Sequence, residues 1–229
     1  MERRYTPPPL DLEPLHAFLA SHGEVVSLPR GERMEIEGQP AQWFALVEQG
    51  IFKYVTRNPD DQQEHIAWFS LVGEFVTDYP NVLYGRPARF DIEAMTPCRV
   101  CRIDGEALRH FFGQNDEQVA LRCLIGEHLL AQFQSRYIDL HRLSPRERYT
   151  QLLRRCPGIA DDLPLNAIAS FLGVTPVYLS RIRRAITFGE DELPPPPIDI
   201  PETSFIDGQN EDSPFLYRSS ARFLEERMI

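Results

Sequence analysis

Arg181, Arg183 and Arg184 place three guanidinium groups within four residues, and Arg154 and Arg155 add two more upstream in the same stretch. A guanidinium is permanently charged and offers its N–H donors as a rigid fork, which suits a phosphate or two acceptors on the edge of one planar ring. Residues 142–188 hold 8 basic residues, all arginine, against 3 acidic ones, whereas residues 1–141 hold 13 against 21 and residues 189–229 hold 3 against 10. The formal net charge of −10 excludes a uniformly basic surface, so any chemistry directed at anions must be confined to that one segment.

The elements that would position these arginines are legible in "NAIASFLGVTPVYLSRIRR", residues 166–184. Ile168, Leu172, Val174, Leu179 and Ile182 are spaced as the inner contacts of two short helices, roughly 165–172 and 176–186, crossing at a steep angle. Ala169 stands where the two come close, and Gly173 is the turn residue that can take positive φ. Thr175 then reads as the N-cap of the second helix, with Pro176 at its first position, where no amide donor is needed. At 100° per residue the inward direction of that helix runs through Leu179, Ile182 and Ile186, and Val177, Ser180, Arg181 and Arg184 face away. Such a helix fits a major groove: Arg181 for guanine acceptors, Val177 for a thymine methyl, Thr175 and Ser180 as polar neighbours, and Arg183, Arg184, Arg154 and Arg155 for phosphates.

Upstream, "LSPRERYTQLLRRCPG" reads as a helix with Ser144 as N-cap, Pro145 at the first position, Glu147 closing a capping box, and Cys156-Pro157-Gly158 as its end. Before it, Leu121, Ile125, Leu129 and Phe133 recur in steps of four and are followed by Tyr137 and Leu140. A second apolar edge through Leu124, Leu130 and Ile138 is broader than one contact face requires, which predicts two partners: the preceding domain and a second copy of the helix. From about Val25 to Ile103, short segments rich in β-branched and aromatic residues alternate with glycine turns, as in an antiparallel jelly roll; "RNPDDQ" reads as a hairpin tip and "LEPLHAFLASHG" as a short leading helix. Residues 189–229 are acidic and proline-rich, a linker or tail by composition, with "FLYRSSARFLEERMI" able to form a terminal helix. An acidic tail of this kind suits shielding of the arginine face or solubility.

Other chemistries find little support in the residues. Cys98-Arg99-Val100-Cys101 is a CxxC on a predicted strand with no second pair to complete a metal site, and Cys123 and Cys156 are too irregular for a disulfide framework. His16, His22, His65, His110, His128 and His141 form no ligand spacing, so no metal and no cofactor are expected. A metal-dependent oxygenase in a jelly roll needs two histidines and a carboxylate converging, and His65 stands alone; no Walker loop, GxSxG elbow or zincin helix occurs. No apolar run is long enough for a bilayer span, and "MERRYTPPPLDLEP" lacks the apolar core of a signal peptide, so a non-enzymatic cytoplasmic protein is expected.

Three features in order, the glycine-punctuated barrel with "LVGEF", the long helix, and "SPRERYTQLLRR" leading to "IASFLGVTPVYLSRIRR", resemble the Crp/Fnr superfamily of bacterial transcription regulators over roughly residues 15–186. The last feature looks especially like the divergent members common in Bacteroidetes. The resemblance implies a homodimer joined along the long helix, a sensor barrel of the cyclic-nucleotide-binding type, double-stranded DNA half-sites one helical turn apart, and RNA polymerase as a further partner. It also implies an effector pocket. The family's Gly-Glu would stand at Gly73-Glu74, with Arg86 or Arg89 supplying positive charge for a cyclic phosphate. The family's Arg-Ser is here Ala88-Arg89, so the serine contact is missing and an empty or differently filled pocket is expected. The recognition helix departs as well, with Pro176-Val177 where well-studied members carry Arg-Glu; Arg181 matches the third base-reading position, so the target sequence should differ.

The expected architecture is thus α+β: an N-terminal antiparallel β jelly roll over 1–114, a long dimerisation helix over 115–141, a C-terminal helix-turn-helix domain over 142–188, and the tail over 189–229. The expected function is sequence-specific DNA binding by a transcription regulator with an unidentified small-molecule effector. The competing reading is a small-molecule-binding barrel that no longer binds DNA.

Overall fold

The computed structural model describes residues 10–58 and 63–189. The chain opens with α1 (Glu13–His22), then β1 (Glu24–Leu28), β2 (Arg33–Glu35), β3 (Trp43–Gln49), β4 (Phe52–Arg57), β5 (Glu64–Ser70) and β6 (Phe75–Val76). A single 3-10 turn (Asn81–Tyr84) precedes β7 (Asp91–Ala94) and β8 (Cys98–Asp104). The described strands form two four-stranded sheets, ordered β1-β8-β3-β6 and β2-β7-β4-β5, in which every pairing is antiparallel. This is the expected jelly roll. Arg57 of β4 pairs with Glu64 of β5, and the expected hairpin tip between them, residues 59–62, lies outside the described residues.

Side chains alternate across the sheets because successive Cβ atoms leave a strand on opposite faces. Ala45 and Val47 of β3, Phe52 and Tyr54 of β4, Ile92 of β7 and Val100 of β8 fill the space between the sheets. Phe44, Cys101 and Ile103 turn outward instead, into a second cluster with Leu15 and Leu19 of α1. The CxxC is divided by the same alternation: the Cys98 thiol donates to the Ile51 carbonyl at 3.4 Å in the interior, and the Cys101 thiol donates to the Leu19 carbonyl at 3.3 Å beneath α1. An i, i+3 pair on a strand points to opposite sides, so these two cysteines cannot share a metal or a disulfide without backbone movement. Burial pushes both thiols up from their ordinary pKa. Both are packing residues.

Buried charges on the strands are compensated. Asp91 is 1% exposed, and desolvation works against its charge, but the Glu37 amide and the guanidiniums of Arg57 and Arg33 hold its carboxyl below the ordinary value. Glu35 accepts from the Gln42 and Trp43 amides at 2.8 and 2.6 Å, yet burial still raises its pKa.

Helix α2 (Gly105–Phe112) begins where the Asp104 carboxylate accepts from the Ala107 amide at 2.7 Å. Helix α3 (Asp116–Arg142) begins where the Asn115 side chain accepts from the Glu117 and Gln118 amides. Its 27 residues span about 40 Å. Leu121 and Ile125 are buried against the barrel-side cluster with Phe111 and Phe112, and Leu129 is partly buried there. Beyond that point the apolar stripe is bare: Leu130, Phe133, Tyr137 and Ile138 are all exposed.

Four helices complete the described chain: α4 (Pro145–Arg155), α5 (Ile159–Asp162), α6 (Leu165–Leu172) and α7 (Pro176–Phe188). They do not form a core of their own alone. Tyr149, Leu152, Phe171, Leu172, Leu179 and Ile182 share one apolar cluster with Ile51, Val55, Ile66 and Phe69 from the outer face of the second sheet. The barrel is therefore covered on one side by α1, α2 and the first half of α3, and on the other by the terminal helices. One expectation is corrected here: Ile186 is 38% exposed, and the inward stripe of α7 is completed by Tyr178 and Ala185. The smaller Ala185 lets the helix lie close and leaves Ile186 at its edge. The expected terminal helix and the tail lie outside the described residues.

Among the described glycines Gly105 marks the tightest approach, since a Cβ there would lie 1.9 Å from the Val82 carbonyl oxygen. Gly105→Ala must push α2 from the 3-10 turn, with an expected loss of about 1–3 kcal/mol typical of overpacking. A urea unfolding midpoint unchanged from wild type would show that the two segments are not held together.

Candidate nucleic-acid interface

The segment bearing the arginines is built on well-satisfied helix ends. At α4 the Ser144 hydroxyl accepts from the Glu147 amide at 3.3 Å, and the Glu147 carboxylate accepts from the Ser144 amide at 2.8 Å, a complete capping box. Hydrogen bonds from the Ser144 amide and hydroxyl hold the Glu147 carboxyl below its ordinary pKa. At the end of α6, Gly173 takes φ 67°, and the Val174 amide reaches back to the Ala169 carbonyl at 3.0 Å. A residue with a Cβ would be strained in that left-handed conformation. The chain then restarts at once: the Thr175 hydroxyl accepts from the Tyr178 amide at 3.2 Å, and Pro176 occupies the first position of α7.

This punctuation sets α6 and α7 at 97° to each other. Tyr178, Leu179, Ile182 and Ala185 of α7 are buried, and Val177, Ser180, Arg181 and Arg184 lie exposed on the opposite side. Val177 is 64% exposed, which leaves its methyl groups accessible on that side. Among the described residues no carboxylate pairs with Arg181 or Arg184; Arg184 lies over the Phe188 ring, with its guanidinium carbon 5.9 Å from the centroid. Arg183 is half-buried and Arg154 is exposed. Thr175 is exposed at the N-terminal end of the same helix. The fold therefore brings Thr175, Val177, Ser180, Arg181 and Arg184 together on one accessible helix.

Arg155 stands apart from that group. It donates to the Glu74 carboxylate at 2.8 Å, with its guanidinium carbon 4.9 Å from the Trp68 ring centroid. Two arginines that the sequence did not mark also belong to this region. Arg148 donates to the carbonyls of Leu140, Leu143 and Leu172, and Arg136 donates to the Phe171 carbonyl at 2.9 Å while lying over the Phe171 ring. Burial, then the like charges of Arg148 and Arg155, push Arg136 down to about 10, so it remains charged at neutral pH. Nothing in their sequence spacing separates them from solvent-exposed arginines.

The residues assigned to an effector pocket each have surroundings of their own. Gly73 sits at φ 83° in the turn before β6, and the Glu74 carboxylate accepts from the Leu71 amide at 3.1 Å and from Arg155. Arg86 lies 5.3 Å from the Tyr84 ring centroid, and Arg89 is exposed. The Arg89 amide donates to a different acid, the buried Asp78, which also accepts from Asn81. Burial raises the Asp78 carboxyl above its ordinary pKa despite those donors. Inside the barrel the Tyr54 hydroxyl accepts from the Thr77 amide at 3.0 Å and meets the Ser70 hydroxyl at 3.2 Å, with its pKa pushed up to about 12 by burial. Two surface clefts of about 310 and 380 Å³ border α2; none of Gly73, Glu74, Arg86 or Arg89 lines either one. Among the described residues no group of three His, Cys, Asp or Glu side chains is placed to hold a metal ion, and no single helix is long and apolar enough to cross a membrane.

Because the folded-state pKa of Asp78 lies above its unfolded value, the native state binds more protons between the two values, and stability falls as pH rises through that window. The expected outcome is that Asp78→Asn flattens the urea midpoint between about pH 4 and the point where the native carboxyl ionises. An unchanged pH profile would place that proton elsewhere.

Residues 25–115 match the cyclic nucleotide-binding domain family. Among curated proteins none matches the chain. Several solved structures share its fold. FixK2 from Bradyrhizobium japonicum is 21% identical, with a TM-score of 0.62 over 73% of this chain and 86% of that one. The c-di-GMP responsive global regulator CLP of Xanthomonas campestris is 19% identical, with a TM-score of 0.55 over 78% and 93%. TTHB099 from Thermus thermophilus, a transcriptional regulator of the CRP family, is 17% identical, with a TM-score of 0.55 over 72% and 85%.

Proposed function

We propose that this chain, a cyclic nucleotide-binding domain set within a Crp/Fnr-type regulator fold, is a homodimeric, sequence-specific DNA-binding transcription regulator. The observation that carries the reading is the outward face of α7, where Val177, Ser180, Arg181 and Arg184 stand exposed on a helix fixed at 97° to its neighbour. That width and chemistry suit a major groove: Arg181 for paired guanine acceptors, Val177 for a thymine methyl, and Arg183, Arg184 and Arg154 for phosphates. The acidic remainder of the chain is repelled by DNA, so contact is funnelled to this face.

A second copy supplies the other half-site. Leu130, Phe133, Tyr137 and Ile138 form an exposed apolar stripe on the distal half of α3, which suits a seam between two parallel copies of the helix. For the barrel we favour an interior closed to cyclic nucleotides. Phe52, Tyr54 and Ile92 occupy it, Glu74 is engaged by Arg155, and the Arg89 amide is held by Asp78. An effector, if sensed, belongs to another chemical class. As an intracellular DNA partner the protein is read as cytoplasmic.

Two measurements check this reading. Arg181→Ala should cost about 1–3 kcal/mol at one base position in selected duplexes, whereas equal loss on every sequence would assign Arg181 to phosphate. Wild-type binding should weaken steeply as salt rises in a mobility-shift assay; absence of duplex binding at low salt would favour a barrel module that has lost this role. Separately, Phe133→Glu should shift the chain to monomer in sedimentation equilibrium, and a dimer of unchanged affinity would move the seam off α3.

A further inference from the structure

Trp68 stands where three parts of the fold meet. Its ring packs against the barrel interior, lies 5.9 Å from the Phe133 ring of α3, and carries the Arg136 and Arg155 guanidiniums at 5.7 and 4.9 Å from its centroid. Arg155 is at the same time paired with Glu74, whose second oxygen accepts from the Leu71 amide, so the carboxylate is anchored to the barrel backbone. A further bond crosses the same boundary: the Ile66 amide of β5 donates to the Ser170 hydroxyl of α6 at 2.9 Å. Strand β5 is an edge of its sheet, and α6 occupies part of the hydrogen-bonding edge that would otherwise be open.

Only Leu143 and Ser144 lie between α3 and α4 outside a helix. Two non-helical residues act as a pivot unless contacts elsewhere fix the angle. The apolar cluster shared by β4, β5 and the terminal helices supplies adhesion, but apolar burial is non-directional. A forked guanidinium held between a carboxylate and an indole face has direction.

We propose that Arg155, together with Glu74 and Trp68, is a positioning group that sets the angle of α7 relative to the barrel, and that it is not a phosphate ligand. The proposal rests on the DNA-binding reading, because the angle matters only if two recognition helices must reach two half-sites at once. A dimer whose α7 helices are free to swing loses the advantage of simultaneous engagement and binds with the affinity of a looser pair. Glu74, which the resemblance places in an effector pocket, is thereby turned to a role within the protein.

Half-exposed ion pairs respond weakly to neutralisation, so the test is a charge swap in the full-length dimer. Glu74→Arg and Arg155→Glu should each weaken binding to a wild-type-selected duplex about fivefold, and the double variant should recover to within about twofold of wild type. A double variant as weak as Arg155→Glu alone would make Arg155 a phosphate contact and overturn the proposal. Single variants indistinguishable from wild type would overturn it as well. Amide exchange at Ile66 is read in parallel without DNA: faster exchange in each single variant and restored protection in the double one is expected. Should wild type bind no duplex, the regulator reading falls on its own, and the Ile66 amide still decides the junction; unaltered exchange in the single variants would then refute it. In a Trp43→Phe background Trp68 is the remaining tryptophan of the two, and its emission should shift in the single variants and return in the double.

Discussion

The contact on which the rest of the structure depends is the packing of α6 and its neighbours onto the outer face of β4 and β5. Ile66 and Phe69 on the sheet meet Phe171 and Leu172 on the helix, with the Phe69 and Phe171 rings 4.9 Å apart. Removing those side chains from water favours a single joint core for barrel and terminal helices. Once α6 is seated, the left-handed Gly173 and the Thr175 cap dictate where α7 begins and in which direction it runs. The inward stripe of α7 then closes the same cluster, and its arginines have nowhere to go but outward. The exposed arginine face is thus the residue of a packing problem solved on the opposite side of the helix.

The barrel shows the complementary constraint. An antiparallel sandwich of eight short strands has little volume to spare, and here Phe52, Tyr54, Ile92 and Val100 take it. Polar groups enter only with partners: Glu35 with two amides, Asp91 with an amide and two arginines, Tyr54 with Ser70 and Thr77. Those donors offset the desolvation cost of the buried polar atoms within the fold. Among the described barrel residues the Thr77 hydroxyl oxygen departs from this, being buried without a hydrogen-bond partner next to Asp78 in the chain. Glu74 is engaged by Arg155, and Arg86 and Arg89 are exposed.

Much of this was open to inspection along the chain. Glycine turns and alternating strands implied the two-sheet barrel, and Ser144 with Glu147, then Gly173, Thr175 and Pro176, located helix ends that the structure reproduces. Those signals are local: a cap or a positive φ depends on a few neighbouring residues and survives any tertiary arrangement. The fate of Arg155 was not legible, because it follows Arg154 in a run of arginines, and only the approach of Glu74, 81 residues earlier, distinguishes the two. Arg136 and Arg148 were missed for the same reason. Asp78 carried no signal in the sequence, because its burial and its bond from the Arg89 amide arise only once the segments fold together.

What the amino-acid order determined by itself was periodicity, helix termini and the confinement of positive charge to one stretch, all of which are properties read along the chain without reference to contacts through space. Tertiary structure alone decided which charges remain free. Guanidinium groups compete for carboxylates, carbonyls and ring faces across the whole molecule, and the winner depends on through-space distances that spacing along the chain does not encode. Arg155 was drawn to the barrel by such a competition, and Arg181 was left to solvent because no described carboxylate comes within ion-pair distance of its face of α7.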